Sequence, residues 1–324
     1  MPRIELPDLL YELAIAKDEG VPLSRALSPR SQVDICRTWG FDLMVRDDRI
    51  FLQSSPDLLL PVWIESETPV LAWETLCVRG FLEVGSTNDE ARALARQGAA
   101  CGTIVYAERQ TAGRGRKGRD WSAPAGSGLY FSIVLRPTQP RVHWPLLTHA
   151  TSIALVQALD QVSASDWSRR RFTADIKWPN DVLLSGRKVA GILIETGGRP
   201  DGVAVAGIGI NVKSVQIPGG LPEGATSVSD EAGSDIPRRW LLVRFLDRLQ
   251  VLYSMFERGG FEEILALWKS RSSMWKDTPV WIGEGAERCQ AVTCGLSKQG
   301  GLRVRFADGA ERTLLAEDVS VRLI

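Results

Sequence analysis

The chain has 324 residues, of which 39 are basic and 39 acidic, so its formal net charge at pH 7 is zero. This balance excludes a protein that is basic throughout and coats nucleic acid, although local clusters can still bind anions. With 44% apolar residues, the composition is typical of a soluble globular protein. The length predicts about two domains at roughly 150 residues each.

Membrane insertion and export are not indicated. No stretch reaches the roughly 18 consecutive apolar residues of a spanning helix, and the first residues lack the basic start and apolar block of a signal peptide. We therefore expect a cytoplasmic protein. The cysteines are odd in number, scattered and without a CxxC pair, which predicts buried thiols rather than a disulfide framework or zinc site: Cys36, Cys77, Cys101, Cys289 and Cys294.

Residues 1–60 predict two short helices and then a hairpin. Apolar residues of the early helix are Leu9, Leu10, Leu13 and Ile15, and a second helix ends near Gly40. The runs FDLMV and RIFLQ flank Asp47 and Asp48 as a tight hairpin would. This order is typical of a winged helix-turn-helix. We place a linker at 61–74, after the proline-containing run SSPDLLLP.

Residues 75–275 mix helix and strand signals. Helices are predicted at 87–97, 149–162 and 241–256, and strands at 103–108, 129–135, 189–195 and 203–212. Because both short turns and helices join the strands, we expect an α+β core with a mixed sheet. From 276 to 324, short strands separated by Gly and Asp turns predict a small β-barrel.

A basic, glycine-rich tract follows the strand at 103–108. Residues 109–119, RQTAGRGRKGR, hold five cations and no anion. Gly113, Gly115 and Gly118 have GxGxxG spacing, but the following DWSAPAGSG cannot form the helix that a dinucleotide fingerprint needs. Because arginine forks match phosphate and carboxylate oxygens, the tract is interpreted as a lid that closes over an anionic ligand. A solvated surface turn is the alternative.

The run IKWPNDVLLSGRKVAGILIE (176–195) predicts a hairpin. Pro179 interrupts the strand, Gly186 permits the turn, and on the returning strand Lys188 shares a face with Ala190. The other face is left open at Gly191 for a ligand or a neighbouring backbone. Two lysines, an amide and a carboxylate around one hairpin suit an anion, although a plain surface hairpin would explain the turn residues equally well.

Two weaker motifs and two histidines complete the pattern. In GSTNDEARALA (85–95), Thr87 and Glu90 have capping-box spacing, so helix capping alone could explain the hydroxyl. The two glycines of GIGINV (207–212) could mark only a bulge. His143 and His149 have no metal-ligand spacing and are expected to be structural.

Taken in order, six motifs resemble the biotin protein ligase family: GSTN (85–88), AERQTAGRGRKGRDW (107–121), GLYFSIVLRP (128–137), KWPND (177–181), RKVAGILIE (187–195) and GIGINV (207–212). The resemblance covers about 75–324 and implies a class II synthetase-like biotin/lipoate ligase core at 75–275 and an SH3-like β-barrel at 276–324. It also implies a two-step reaction. Biotin and ATP form biotinyl-5'-AMP and pyrophosphate, and a lysine of a biotin carboxyl carrier protein, an acetyl-CoA carboxylase subunit, then takes the biotinyl group.

The resemblance also implies roles for individual residues. Contacts to biotin are expected from Ser86, Thr87, Asn88, Gln110, Arg114, Gly115, Arg116 and Lys188. The nucleotide side would include Arg114, Arg116, Arg119, Asn180 and Asn211, and Lys177 is a further phosphate contact. Catalytic candidates are Lys188, Arg116, Asp181 and Lys177, with Asp181 expected to orient or deprotonate the acceptor amine. Mg²⁺ is implied as the partner of ATP, without a dedicated protein cage. The segment 225–227 has no aromatic residue, so the adenine contact is left unassigned.

Three alternatives stay open. The enzyme could act on a related acyl acid such as lipoate, because lipoate ligases share the family's core. Bifunctional relatives use an N-terminal winged helix to repress biotin-synthesis genes, and residues 28–43 resemble its recognition helix. However, residues 1–60 have a net charge of −3 and two aspartates at the wing, which oppose contact with DNA phosphates. The chain could be a monomer or a homodimer.

Overall fold

The computed structural model describes residues 4–5, 7–16, 19–22, 29–54, 57, 59–68, 73, 76–197, 202–214, 217, 219–283, 288–316 and 321–323. Its helices are α1 Asp8–Ala16, α2 Pro29–Thr38, α3 Pro61–Glu67, α4 Thr87–Arg96, α5 Pro145–Ala164, α6 Val228–Ala232, α7 Arg238–Glu257 and α8 Phe261–Ser270. Its strands are β1 Ile4–Glu5, β2 Val21–Pro22, β3 Asp42–Arg46, β4 Arg49–Ser54, β5 Cys77–Val84, β6 Thr103–Gln110, β7 Gly128–Leu135, β8 Ala174–Lys177, β9 Asp181–Leu184, β10 Arg187–Thr196, β11 Ala204–Asn211, β12 Lys276–Ile282, β13 Cys289–Leu296, β14 Leu302–Phe306, β15 Glu311–Leu314 and β16 Val321–Leu323.

A mixed sheet of eight described strands forms the centre of the molecule, in the order β1-β5-β6-β7-β11-β10-β9-β8. Strands β5 and β6 are parallel, and β6 and β7 are antiparallel. Side chains alternate across β6: Ile104 and Tyr106 join the core that contains α5 and α7, whereas Val105 and Ala107 pack with α4. The α+β class with a mixed sheet is therefore confirmed, with helices on both faces of the sheet.

The N-terminal part has a three-stranded sheet in the order β2-β4-β3 beside α1 and α2. The predicted hairpin turns at Asp47 and Asp48, whose φ angles of 49° and 55° are both left-handed. A two-residue hairpin turn with both central residues in this region matches the right-handed twist of the strands, and aspartate tolerates it better than most residues. Ile15, expected on the apolar face of α1, is instead 68% exposed.

The first half of the linker predicted at 61–74 forms helix α3. Pro61 stands in the first turn, where its missing N–H costs nothing, and Ile64 is fully buried. A proline that reads as a breaker therefore starts a helix here. Residues 69–72 and 74–75 lie outside the described residues.

The C-terminal part is a five-stranded antiparallel sheet in the order β15-β14-β13-β12-β16. Its strands contribute Val280, Leu302 and Val304, which are fully buried. The prediction that the thiols are buried is correct for Cys36 only. Cys289 is exposed, and the other three cysteines are half-buried. In the part of the chain that the structure describes, no helix combines the length and apolarity needed to cross a membrane.

Candidate active site

One polar pocket of about 210 Å³ gathers most of the residues singled out from the sequence. Its walls are the start of α4, the basic loop 113–121, the turn between β8 and β9, and strands β10 and β11. Twelve of the thirteen predicted residues line it: Ser86, Thr87, Asn88, Gln110, Arg114, Gly115, Arg116, Arg119, Lys177, Asn180, Asp181 and Lys188.

Asn211 is the exception and does not line this pocket. It is buried at the end of β11, where its Nδ2 donates to the carbonyl of Thr226 at 3.2 Å. The Thr226 amide in turn donates to the carbonyl of Lys188 at 2.8 Å. Asn211 therefore supports the segment beside Lys188.

The charge of the pocket favours an anionic ligand. Six cationic side chains line it: Arg114, Arg116, Lys117, Arg119, Lys177 and Lys188. The carboxylates among its lining residues are Asp120 and Asp181. An excess of four positive charges around a concave site concentrates anions there, even though the whole chain is neutral.

The basic loop is held in a defined shape by its own backbone. The amide of Gly115 donates to the carbonyl of Arg119 at 2.7 Å, and that of Trp121 donates to Gly113 at 2.9 Å. Arg116–Gly118 forms one 3-10 turn, and no helix follows before β7. As the sequence predicts, the loop therefore lacks the helix N-terminus of a dinucleotide fold and offers arginines instead.

Two arginines tie this loop to opposite walls of the pocket. Arg114 forms a bidentate ion pair with Asp89, in which both N–O distances are 2.7 Å. These hydrogen bonds hold the pKa of Asp89 below its usual value. Arg116 Nη1 donates to Asn180 Oδ1 at 3.0 Å. Arg116 thus bridges the loop to the β8–β9 turn, as a closed lid would.

A β-bulge decides where Lys188 points. Strand β10 pairs Lys188 with Leu183 and Ala190 with Val182, so Val189 has no partner on β9. The extra residue moves Lys188 to the face of Gly191 and Asp181, because neighbouring residues of a regular strand alternate faces. The predicted common face of Lys188 and Ala190 is therefore wrong, and Lys188 Nζ lies 2.6 Å from Asp181 Oδ1.

Uncharged polar groups form the other end of the pocket. Gln110 Oε1 accepts from the Thr87 amide at 2.8 Å and from its hydroxyl at 3.1 Å. Ser132 Oγ lies 2.8 Å from the Thr87 hydroxyl and 2.6 Å from Asn88 Oδ1. Thr87, Asn88 and Ser132 are buried and Gln110 is half-buried, and together they hold one another in fixed orientations, which prepares them for a neutral polar ligand.

Helix capping, the alternative explanation for the Thr87 hydroxyl, does not hold. Ser86, not Thr87, is the N-cap of α4, and it makes no side-chain capping hydrogen bond. Thr87 is instead the first helical residue, and its hydroxyl faces Gln110 and Ser132. The helix begins at residue 87, as predicted, so helix capping does not account for this hydroxyl, which faces the pocket.

Sequence reasoning missed two residues of the site. Glu195 Oε2 accepts from Asn88 at 2.7 Å and from Arg92 at 3.0 Å, and so orients the Asn88 amide. The Trp121 indole packs on Gly209, where an added Cβ would lie 2.6 Å from the ring. Both stand inside quoted motifs, RKVAGILIE and GRGRKGRDW, but an acidic strand end and a tryptophan after a loop give no separate signal.

A second, larger cleft of about 680 Å³ adjoins the pocket. It shares Arg116, Trp178 and Asn180 with the pocket, and its far wall is the C-terminal sheet around Gly300 and Leu315. The Arg116–Asn180 hydrogen bond lies on residues common to both cavities. Movement of Arg116 would therefore change the width of the opening between the two cavities.

The two histidines fit the structural role expected of them. His143 stacks on Phe261 with ring centroids 3.9 Å apart. His149 lies buried in α5, its Nδ1 is 3.3 Å from the carbonyl of Pro145, and burial lowers its pKa to about 4. It is therefore neutral at physiological pH.

Comparison with known proteins gives the family. The sequence profile of the biotin/lipoate A/B protein ligase family matches residues 85–213, which hold both polar ends of the pocket. A biotin–[acetyl-CoA-carboxylase] ligase from Paracoccus denitrificans is 35% identical over 241 residues, covering 72% of this chain and 95% of that protein. The chain belongs to the biotin/lipoate A/B protein ligase family.

Further relatives define how far the likeness extends. A bifunctional ligase/repressor, BirA, of Bacillus spizizenii is 38% identical over 191 residues, 58% of this chain. The chain spans 57% of the length of that relative, which is less than two thirds. Among solved structures, biotin protein ligase from Aquifex aeolicus in complex with biotin and ATP is similar with a TM-score of 0.64 and 29% identity. That match covers 76% of this chain and 99% of the Aquifex chain.

Proposed function

We propose that the protein is an ATP-dependent biotin protein ligase. Biotin would be activated to biotinyl-5'-AMP with release of pyrophosphate, and the biotinyl group would pass to one lysine of a biotin carboxyl carrier protein. The observation that supports this best is the division of a single pocket into an uncharged end, around Asn88 and Gln110, and a cationic end around Lys188 and Arg116. Biotin has the matching division, a neutral ureido ring at one end and a carboxylate at the other.

At the uncharged end, Ser86, Thr87, Asn88 and Gln110 would contact the ureido ring. The Thr87 hydroxyl and the Asn88 amide are already oriented by Ser132 and Glu195, and Gln110 by Thr87, so little rotational freedom would be lost on binding. Arg114 and Gly115, which face the same pocket, would cover the bound ring from the loop side.

At the cationic end, the first step would bring two anions together. The biotin carboxylate would attack the α-phosphate of ATP, forming an acyl–phosphate bond as pyrophosphate leaves. Lys188, Lys177 and Arg119 would offset the negative charge that concentrates on the α-phosphate, and preorganised cations of this kind stabilise the transition state more than the ground state. Arg116 and Asn180 would close over the adenylate and exclude water.

The second step needs an uncharged amine, whereas a lysine with a pKa near 10.4 is protonated at pH 7. Asp181 would orient the incoming ammonium and take its proton, so that the nitrogen lone pair can attack the acyl carbon and AMP can leave. The 2.6 Å contact between Asp181 and Lys188 supports this role, because the acceptor lysine would bring the same kind of ammonium group. When the biotin carboxylate or the phosphate draws Lys188 away, that position becomes available for the acceptor.

Magnesium would enter with ATP. In the described ranges, no group of three histidine, cysteine or acidic side chains is close enough to hold a metal ion. Phosphate oxygens and water would therefore supply most ligands, which suits Mg²⁺ because it sheds its water reluctantly. The bound ion would neutralise charge on the phosphates during adenylation.

The flanking parts are proposed to be accessory modules. The two helices and three-stranded sheet within 1–60 suit a winged-helix-like domain, and the five-stranded sheet within 276–324 suits an SH3-like barrel, with the catalytic domain at 75–275 between them. The Bacillus relative is named a ligase/repressor. A second role in repressing biotin-synthesis genes is favoured by this domain order. The exposed Asp47–Asp48 turn opposes it, because a wing normally approaches DNA phosphates.

Pyrophosphate release from ATP tests the activation step and separates biotin from lipoate. We expect release with biotin in a stoichiometric burst, and at least about a hundredfold lower kcat/KM with lipoate, because a site that hydrogen-bonds a polar ring rejects an analogue without those groups. Equal rates with lipoate would overturn the biotin assignment. Absence of release with either acid would overturn the ligase proposal.

A further inference from the structure

The second residue of the KWPND motif, Trp178, touches the C-terminal sheet. Its ring is 2% exposed, and its Nε1 donates to the carbonyl of Gly300 at 3.1 Å, in the turn between β13 and β14. Trp178 stands between Lys177 and Asn180, both of which line the pocket. A contact 122 residues apart in sequence therefore joins the pocket turn to a different sheet.

Gly300 is the residue that permits this contact. Its φ is +80°, and an added Cβ would lie 2.7 Å from Cε1 of His149 and 3.1 Å from Cδ2 of Leu146. Both neighbours are buried in α5 and cannot move away without disturbing the core. Any side chain at position 300 would thus lift the turn from α5 and carry its carbonyl away from Trp178.

The segment that connects α8 to the C-terminal sheet forms hydrogen bonds with β8, the strand that ends just before Trp178. The amide of Ile176 donates to the carbonyl of Arg271 at 2.8 Å, and Ser272 Oγ donates to the carbonyl of Ile176 at 2.7 Å. The amide of Trp178 itself faces Met274 Sδ at 3.1 Å. The end of β8 and the start of the pocket turn are therefore enclosed by residues that belong to the C-terminal connection.

We propose that the C-terminal sheet positions the nucleotide side of the pocket through the contact between Gly300 and Trp178. Gly300 and Trp178 are therefore positioning residues. The turn 178–180 follows directly from Trp178, so its placement sets Asn180 and Asp181, whereas the uncharged end around Asn88 is anchored separately to Ser132 and Glu195. This inference rests on the proposed ligase function for its kinetic consequences only.

The test uses the full chain with three substitutions. Gly300→Ala displaces the turn, and Trp178→Phe keeps an aromatic ring but removes the Nε1 donor. Gly309→Ala is the matched control, because Gly309 has a similar φ of +84° in the same sheet but nothing within 4 Å of an added Cβ. The readouts are KM for ATP and for biotin, and amide hydrogen exchange of residues 177–184 without substrates.

For Gly300→Ala we expect KM for ATP to rise about tenfold or more, with KM for biotin within about twofold of the parent, since small displacements of positioning groups cost this much. Exchange at 177–184 should quicken. Trp178→Phe should change both readouts in the same direction, and it tests the contact even if Gly300→Ala fails to fold. Gly309→Ala should leave both unchanged.

Two results would overturn the positioning role: equal behaviour of Gly300→Ala and Gly309→Ala, or equal rises in KM for ATP and biotin. Hydrogen exchange judges the contact independently of catalysis. If the parent protein shows no biotin-dependent activity while exchange still responds to Gly300→Ala and not to Gly309→Ala, the ligase proposal fails and the structural coupling stands.

Discussion

Lys188 and Asp181 form an ion pair, with Nζ 2.6 Å from Oδ1, because a bulge at Val189 brings both side chains to the same face of the β9–β10 hairpin. Both side chains are partly exposed, 37% and 21%. An ion pair with this exposure stabilises the fold by at most about 1 kcal/mol, so its main consequence is for the chemistry of the pocket.

Replacing Asp181 by Ala should slow transfer to the acceptor more than adenylation. Loss of a general base costs about 10² to 10⁴ in rate. Lys188 would keep its charge for the first step. Single-turnover transfer from preformed biotinyl-5'-AMP and pyrophosphate release measure the two steps separately. Asp120→Ala, which removes the other pocket carboxylate, serves as the control. Equal losses in both steps of Asp181→Ala would contradict the role.

Replacing Arg116 by Ala should let the adenylate escape faster. The side chain bridges the loop to Asn180, and one charge-assisted hydrogen bond is worth about 1.5–3 kcal/mol, so the release rate should rise about tenfold or more. Dissociation of labelled biotinyl-5'-AMP gives the rate. Arg109→Ala is the matched control, because Arg109 belongs to the same basic tract but pairs with Glu83 outside the pocket. Unchanged retention in Arg116→Ala would rule out a lid.

Replacing Gly207 by Ala should weaken biotin binding. The new methyl group would lie 2.2 Å from Asn88 Oδ1, so the amide must move and lose its hydrogen bond with Ser132. A lost buried hydrogen bond costs about 1–3 kcal/mol, which predicts roughly a tenfold to hundredfold rise in Kd for biotin by calorimetry. Gly186→Ala, on the β9–β10 turn, meets no atom within 4 Å but strains the backbone at a φ of +78°, so it controls for a general loss of stability. An unchanged Kd for biotin in Gly207→Ala would contradict a role for Asn88 in binding biotin.

Acid should destabilise the fold through His149. Burial lowers its pKa from 6.5 to about 4. Between these values the unfolded chain binds the proton and the folded protein does not. Stability from this group is therefore complete above pH 6.5 and is lost as the pH falls towards 4. Between pH 7 and pH 5 the free energy of unfolding should fall by about 2 kcal/mol from this residue.

Urea unfolding at both pH values, compared with His149→Leu, isolates the histidine contribution. The variant should lose less stability than the parent over this interval. Identical pH slopes for the two proteins would show that His149 does not titrate in this way.

The sequence predicts the order of the core elements well, because strands β6, β7, β10 and β11 are long apolar runs and α7 has clear helical periodicity. Twelve of the thirteen predicted site residues line one pocket, because they come from short contiguous motifs. Strand periodicity does not predict the face of β10 on which the Lys188 side chain lies, because the bulge at Val189 moves Lys188 to the opposite face. The start of α4 at Thr87 is predicted correctly, but capping-box spacing alone does not reveal that the Thr87 hydroxyl faces Gln110.

Long-range partners could not be read from the chain. Glu195 meets Asn88 across 107 positions, and Gly300 meets Trp178 across 122. Neither pair leaves a local pattern, since an acid at a strand end and a glycine in a turn are ordinary by themselves. The helix α3 was hidden by Pro61, which ends a helix in most positions but suits the first turn.

The central claim is that this pocket joins biotin to a protein lysine. The most direct measurement is the intact mass of a biotin carboxyl carrier domain after incubation with the full chain, ATP, Mg²⁺ and biotin. We predict a gain of one biotinyl group per carrier. The modified lysine would be located by fragmentation, and there should be no gain when that lysine is replaced by Arg or ATP is left out. An unmodified carrier, alongside a parent protein that is folded and supplied with all substrates, would contradict the account.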